Sequence, residues 1–269
     1  MKAKSVIENA LKLAPGAPET QIALALYRQI YMLDIPGTHQ AFERAIELRP
    51  GDAEVRREYG LFLSRLGLYE DAKVQFEISR ASDPLSPLSL RDLGMIHMRL
   101  GQPEQAMEYL ERSQELMDSD WVRGSYHSMT LLVLNDPQST HDIYKKMKTP
   151  FAYASRGAFI AAQRSGHGAE LLHTVDSLLH DNNFSDDQRL YRQGVLNGLA
   201  GDIERAMYFF EKMVAKRSPS LMAVIEDPAW DPVRHQPEYL KAMKDLGFPR
   251  PPPESFSDML TRLYGPSPE

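Results

Sequence analysis

The chain repeats itself about every 34 residues. Pro15, Pro50 and Pro84 stand 35 and 34 apart, and Asp118 holds the next equivalent place a further 34 on. Ahead of each lies one triplet of small, large and small side chains: Ala3-Ile7-Ala10, Thr38-Phe42-Ala45, Ala72-Phe76-Ser79 and Ala106-Leu110-Ser113. Spacings of four and three put each triplet on one helical face. The small residues let a neighbouring helix come close, the large one fills the gap, and the proline stops the helix. A period of this length means stacked helical hairpins. Such a solenoid needs no single central core, so length alone sets no domain count.

Residues 53–86 show the unit best. Tyr59-Gly60 lies in the first helix, where glycine permits a close crossing. Gly67 ends that helix, Tyr69 opens the second, and Pro84 closes the unit. Residues 87–120 repeat the plan with Leu93-Gly94, Gly101, Ala106, Leu110 and Ser113. Residues 187–220 repeat it with Gly194, Gly201, Ala206 and Phe210. Between them the pattern decays. The unit from Trp121 to Pro150 is short and has Ser128 in place of the inner glycine and Tyr144 in place of the large residue. The next unit keeps Gly166 as a stop and Leu171, Val175 and Leu178 as an inner face. Irregular helix packing is expected over 121–186.

These residues resemble the tetratricopeptide repeat family, over 19–120 and again over 187–218. The stretch from Asp227 to Pro249 is similar to the tail that closes such repeats in bacterial signalling proteins: winged-helix transcription regulators, nucleotide cyclases and protein kinases. Asp-Pro-Leu-Ser-Pro at 83–87 also occurs there. The resemblance implies a sensory or scaffolding region whose effector lies elsewhere. No Gly-rich phosphate loop and no catalytic-loop motif is present.

The two ends are less regular. Ala3, Ile7, Ala10 and Pro15 belong to a second helix whose first helix is missing. Either this half-hairpin caps the array or the chain is part of a longer protein. At the other end, Asp227-Pro228 and Asp231-Pro232 form turns. Gln236 to Leu246 then reads as an amphipathic helix with Tyr239, Leu240, Met243 and Leu246 inward, stopped by Gly247. Residues 250–253 make a stiff proline-rich spacer. Ser255 then opens a short helix with Phe256, Met259, Leu260, Leu263 and Tyr264 on one face.

Chemistry finds little purchase in this sequence. There is no cysteine, so disulfides and thiolate metal sites are excluded. His39, His97, His127, His141, His167, His173, His180 and His235 include no i,i+4 pair and no HExxH. Acidic pairs such as Glu70-Asp71 and Asp186-Asp187 sit at helix starts, where they cap free N–H groups. No nucleophile motif occurs, so no enzyme, cofactor or metal site is expected. The net charge of −6 argues against direct nucleic-acid binding. No apolar run is long enough to span a bilayer, and the N-terminus has no apolar leader region, so a cytoplasmic location is expected.

What remains is binding. In the tetratricopeptide pattern the first helix of each hairpin lines a concave groove. Mapped here, that wall is Tyr27, Ile30 and Tyr31; then Arg57, Leu61, Ser64 and Arg65; then Arg91, Met95, Met98 and Arg99. Arginine, tyrosine and methionine are favoured at binding surfaces. Arg57, Arg65, Arg91 and Arg99 together would favour an acidic partner through forked hydrogen bonds. Glu54, Glu58 and Asp92 lie near enough to neutralise them. Leu61 and Met95 stand where chaperone-binding members carry asparagines, so chaperone tails are not the expected ligand.

The expected fold is therefore an all-α right-handed solenoid of about six or seven hairpins with a short C-terminal helical cap. Its organisation is a solenoid over 1–226 (incomplete at the start, degenerate over 121–186), a capping helix in 227–249, and a spacer with a short helix in 250–269. The expected function is a protein- or peptide-binding scaffold, part of a bacterial signalling or regulatory protein. A small-molecule sensor and a module that self-assembles through its chain ends are the alternatives.

Overall fold

The computed structural model describes residues 2–117 and 185–248, with residues 136, 138, 139 and 262 besides. The described residues are helical throughout and contain no strand. Helix α1 is Lys2–Leu13, α2 Pro18–Tyr27, α3 Ile35–Leu48, α4 Ala53–Arg65, α5 Tyr69–Ser82, α6 Pro87–Arg99 and α7 Pro103–Leu116. Further along the chain come α8 (Asp186–Leu199), α9 (Ile203–Ala215), α10 (Leu221–Glu226), a 3₁₀ turn at Pro228–Val233, and α11 (Pro237–Asp245). The heaviest packing is within the pairs α2–α3, α4–α5, α6–α7 and α8–α9. This is the all-α solenoid of hairpins with a short helical cap that the period implies. The degenerate units of 121–184 and the segment after Phe248 lie outside the described residues.

Short-range chemistry sets the helix ends. Asp52 accepts from the backbone N–H of Glu54 and Val55 at 3.0 and 3.1 Å, and Asp202 accepts from Arg205 at 3.0 Å. Ser185 and Gln188 form a reciprocal capping box. Pro18, Pro87, Pro103 and Pro237 each open a helix, where the missing N–H costs nothing. At the other end, the N–H of Gly67 donates to Ser64 and that of Leu68 to Leu63, a paired closure that needs positive φ at the glycine. Gly67, Gly101, Gly201 and Gly247 all supply it, at φ 71 to 85°.

The triplets make the core. Thr38, Phe42, Ala45, Ala72, Phe76, Ser79, Ala106, Leu110 and Ser113 are all fully buried, as are Ala206, Phe210 and Met213. Each buried phenylalanine contributes roughly 1.5–3 kcal/mol of apolar burial. Only the first triplet differs: Ile7 and Ala10 stay half-buried. The glycines permit this packing. A Cβ on Gly60 would lie 2.6 Å from the Phe76 ring, and one on Gly94 would lie 2.6 Å from Leu110.

A polar bond repeats with the same period. Ser79 Oγ donates to the Ala53 carbonyl at 2.8 Å, and Ser113 Oγ donates to the Pro87 carbonyl at 2.7 Å. In each case the small residue late in the second helix adds a hydrogen bond to a carbonyl at the start of the first. Serine there is thus both a close-packing residue and a lock on hairpin register.

Candidate partner-binding surface

The C-terminal part of the described chain meets residues 32–36 and α4. Helix α10 packs against α4, and Arg217 Nη2 donates to the Met32 carbonyl at 2.7 Å across 185 residues of sequence. Gly247 lies beside Ile35 and Pro36. Leu221, Met222, Val224 and Ile225 of α10 are buried in the same apolar cluster as Phe42, Phe62, Leu63 and Leu66. Leu61, expected on the open groove wall, is partly buried against that cluster, and Ser64 is buried. The chain's own tail therefore packs on one of the helices that the sequence assigns to the groove.

The arginine wall is also changed by its neighbours. Asp92 is fully buried between Arg57 and Arg91. Arg57 Nη1 donates to Asp92 Oδ2 at 3.2 Å, while Arg91 Nε and Nη2 donate to Oδ1 at 2.8 and 2.6 Å. Arg57 also pairs with Glu58. Burial pushes the Asp92 carboxyl up, and the two guanidiniums oppose that shift. The cluster ties α4 to α6 across neighbouring hairpins, which is a structural duty. Arg65 and Arg99 are half-buried. Met95 is 7% exposed and Met98 is fully buried, so these two side chains belong to the packed interior. The pattern of residue types could not reveal this, because methionine suits a core as well as a binding surface.

Tyr27 and Tyr31 behave differently. At the end of α2 the backbone widens into a π-helical turn over Arg28–Met32, which closes at Leu33 in the left-handed region, φ 49°. The wider turn rotates side chains relative to the repeat pattern. Gln29 turns inward and is 1% exposed, whereas Ile30, Tyr31 and Met32 stand out at 38, 58 and 45%. Tyr27 and Tyr31 hold their rings 5.5 Å apart. Arg28 braces the turn by donating to the Gly37 carbonyl at 2.8 Å. The result is a rigid ridge of four apolar or aromatic side chains. Tyr27, Ile30 and Tyr31 could be read from their i, i+3, i+4 spacing. Met32 could not, because it reaches the ridge only through the π turn.

Among the described residues no group of histidines, aspartates and glutamates could hold a metal ion. No described helix is long and apolar enough to cross a membrane.

The described residues fold as stacked helical hairpins, and the family model described as tetratricopeptide repeat matches residues 92–116 of them. Among curated proteins, the type IV pilus assembly protein PilF of Pseudomonas aeruginosa is 30% identical over 118 residues. That match takes in 43% of this chain and 46% of PilF, so the chain spans just under half of that relative's length. Among solved structures, PilW, a type IV pilus biogenesis factor, is 20% identical with a TM-score of 0.55, over 69% of this chain and 87% of PilW. A tetratricopeptide repeat protein from Parabacteroides merdae is 13% identical with a TM-score of 0.59, over 89% of each chain. The last two establish the fold alone.

Proposed function

We propose that this chain is a non-catalytic scaffold that holds a protein partner on the Tyr27–Met32 ridge during assembly of a larger complex. The observation that carries the reading is the ridge itself. Exposed aromatic and aliphatic side chains on a braced helix end make a surface that gains from being covered. Arg57 and Arg91 are committed to Asp92, so their charge is not open to an acidic partner. The identity to PilF suggests type IV pilus assembly as the setting. The tail's resemblance to signalling regulators gains no support from that relative, and pilus assembly replaces it as the working context.

The test is deletion of the coding gene in the source cells, followed by complementation with wild type or Tyr31→Asp. Fibres on the cell surface are counted by electron microscopy. Loss on deletion, rescue by wild type and failure of Tyr31→Asp at normal protein level are expected. Fibre counts untouched by deletion would remove the pilus setting. Full rescue by Tyr31→Asp would remove the ridge.

A further inference from the structure

We propose that the ridge recognises a segment of a protein partner that carries an apolar or aromatic anchor and, within a few residues of it, a carboxylate that pairs with Arg217. The inference rests on the ridge being a partner surface, and it adds the chemistry that the partner brings.

The ridge departs from the repeat at a cost. Gly60, Gly94 and Gly194 each stand seven residues ahead of the glycine that stops their helix, at Gly67, Gly101 and Gly201. In α2 the small, fully buried residue is Ala25, which stands eight ahead of Leu33. The π turn absorbs this extra residue, because each of its hydrogen bonds encloses one residue more than an α turn. Leu33 then takes the left-handed conformation that glycine takes at the other stops. The buried Oε1 of Gln29 accepts no hydrogen bond. Hairpin closure requires neither feature, since α4 and α6 end without them. Local rules broken together in this way mark a surface shaped for use rather than for folding.

The surface so shaped is apolar. Ile30, Tyr31 and Met32 stay open to solvent, and the rings of Tyr27 and Tyr31 lie 5.5 Å apart. Paired rings beside a methionine suit an aromatic or branched aliphatic side chain.

A cation stands at its edge. Arg217 Nη2 donates to the Met32 carbonyl at 2.7 Å, and the Arg217 side chain is exposed. A guanidinium has five N–H donors, so this bond leaves a donor edge open. No carboxylate of the described residues pairs with it. Arg28, the other cation of the turn, is committed to the Gly37 carbonyl and to Asp34. A forked donor without a countercharge, beside an apolar surface, selects a carboxylate. Met32 is the chain neighbour of Tyr31, about 3.8 Å away at Cα, so one short segment reaches both.

The test uses a displayed library of random short peptides, panned on the intact protein and counter-selected on Tyr31→Ala. Selected peptides are synthesised, and their affinities are measured by fluorescence polarisation. Asp or Glu close to an aromatic or aliphatic residue is expected in them. Arg217→Glu should weaken their binding about tenfold or more. Exchanging the peptide's carboxylate for lysine should restore binding to Arg217→Glu and weaken binding to wild type. That reciprocal exchange separates pairing from a structural role of Arg217. No peptide that distinguishes wild type from Tyr31→Ala, no acidic bias, or affinity unmoved by Arg217→Glu would overturn the proposal. So would a dimer in light scattering that Tyr31→Ala dissolves, which would assign the ridge to a second copy. The outcomes also separate this inference from the pilus reading. Reciprocal exchange with fibre counts untouched by gene deletion keeps the ligand chemistry and removes the pilus setting. Failed fibre rescue by Tyr31→Asp, with no acidic bias among the peptides, keeps the ridge and removes the carboxylate.

Discussion

The middle hairpins and the last one use the same glycine for different purposes. In α4 and α6, Gly60 and Gly94 receive the large residue of their own second helix, Phe76 or Leu110. In α8, the nearest atoms to the missing Cβ of Gly194 belong to Trp230, which comes from the 3₁₀ turn beyond the repeat. The serine lock differs too. Ser79 and Ser113 bond back to Ala53 and Pro87, whereas the last hairpin has Met213 in that position. There Asp187, near the start of α8, instead accepts from the hydroxyls of Ser218 and Ser220 beyond the hairpin. A middle hairpin is finished by itself and by the hairpin after it, since α6 packs on both α4 and α5. Among the described residues no hairpin follows the last one. The 3₁₀ turn packs on both α8 and α9 and stands in for one. Capping in this chain is thus a substitution of partner at conserved geometry: the repeat positions stay, and tail residues fill them.

The largest expected effect follows from that substitution. Trp230 is fully buried, with Tyr191 and Phe210 at ring distances of 6.2 and 6.3 Å. Trp230→Ala should cost about 3–5 kcal/mol. Because a solenoid's stability is a sum of neighbouring terms, the loss should concentrate at the C-terminal end. Hydrogen exchange should rise across 186–248 and much less across 53–82. An even rise over both regions would mean that the array unfolds as one unit, and the comparison between hairpins would lose its energetic meaning.

A smaller effect is expected in the middle. Gly60→Ala places a methyl 2.6 Å from Cε1 of Phe76, a ring that is itself fully buried. Overpacking of this kind costs about 1–3 kcal/mol. Helix propensity returns at most about 1 kcal/mol, so the net is destabilisation. Gly51→Ala is the control, since a Cβ there would meet nothing within 4 Å. Chemical denaturation should separate the two variants. Equal midpoints would mean that the seam has room to spare and that glycine at this position is not required by packing.

How much of this was legible in the sequence depends on whether a residue acts within its own repeat. The triplets, the stop glycines, Gly60 and Gly94 all work inside one hairpin, and periodicity exposes them. The helix with Tyr239 and Met243 inward was readable from its own stripe, and both residues are buried. Trp230 against Gly194 was not readable, because the partner lies outside the period. Nor was the contact of α10 with α4, which joins segments far apart in sequence and outside any one repeat. Arg57 and Arg91 resemble surface residues by type. Their commitment to Asp92 depends on a carboxylate from the neighbouring hairpin being buried between them. Met95 and Met98 were misplaced for the same reason: the expected open wall of α6 is packed. On the ridge, the π turn changes which side chains face out, and a 3.6-residue period cannot anticipate that change.

The smallest effect concerns the seam between the chain ends, where Arg217 occupies a place that glycine fills elsewhere. The N–H of Arg217 donates to Val214 and that of Ser218 to Met213, the same paired closure as at Gly67 and Gly101. Arg217 adopts φ 48° to make it, and a side chain in that region costs roughly 1–2 kcal/mol. Its guanidinium offsets part of this by donating to Met32. That bond is exposed to solvent, so its net worth lies toward the low end of about 0.5–1.5 kcal/mol. Arg217→Ala keeps the strained backbone and loses the bond, so it should destabilise by about 0.5–1 kcal/mol. Arg217→Gly loses the bond and relieves the backbone, so it should unfold within about 0.5 kcal/mol of wild type. Thermal unfolding of the three proteins decides between the terms. If the glycine variant falls as far as the alanine variant, the bond between the chain ends outweighs the backbone strain, and the seam is held more tightly than its exposure suggests.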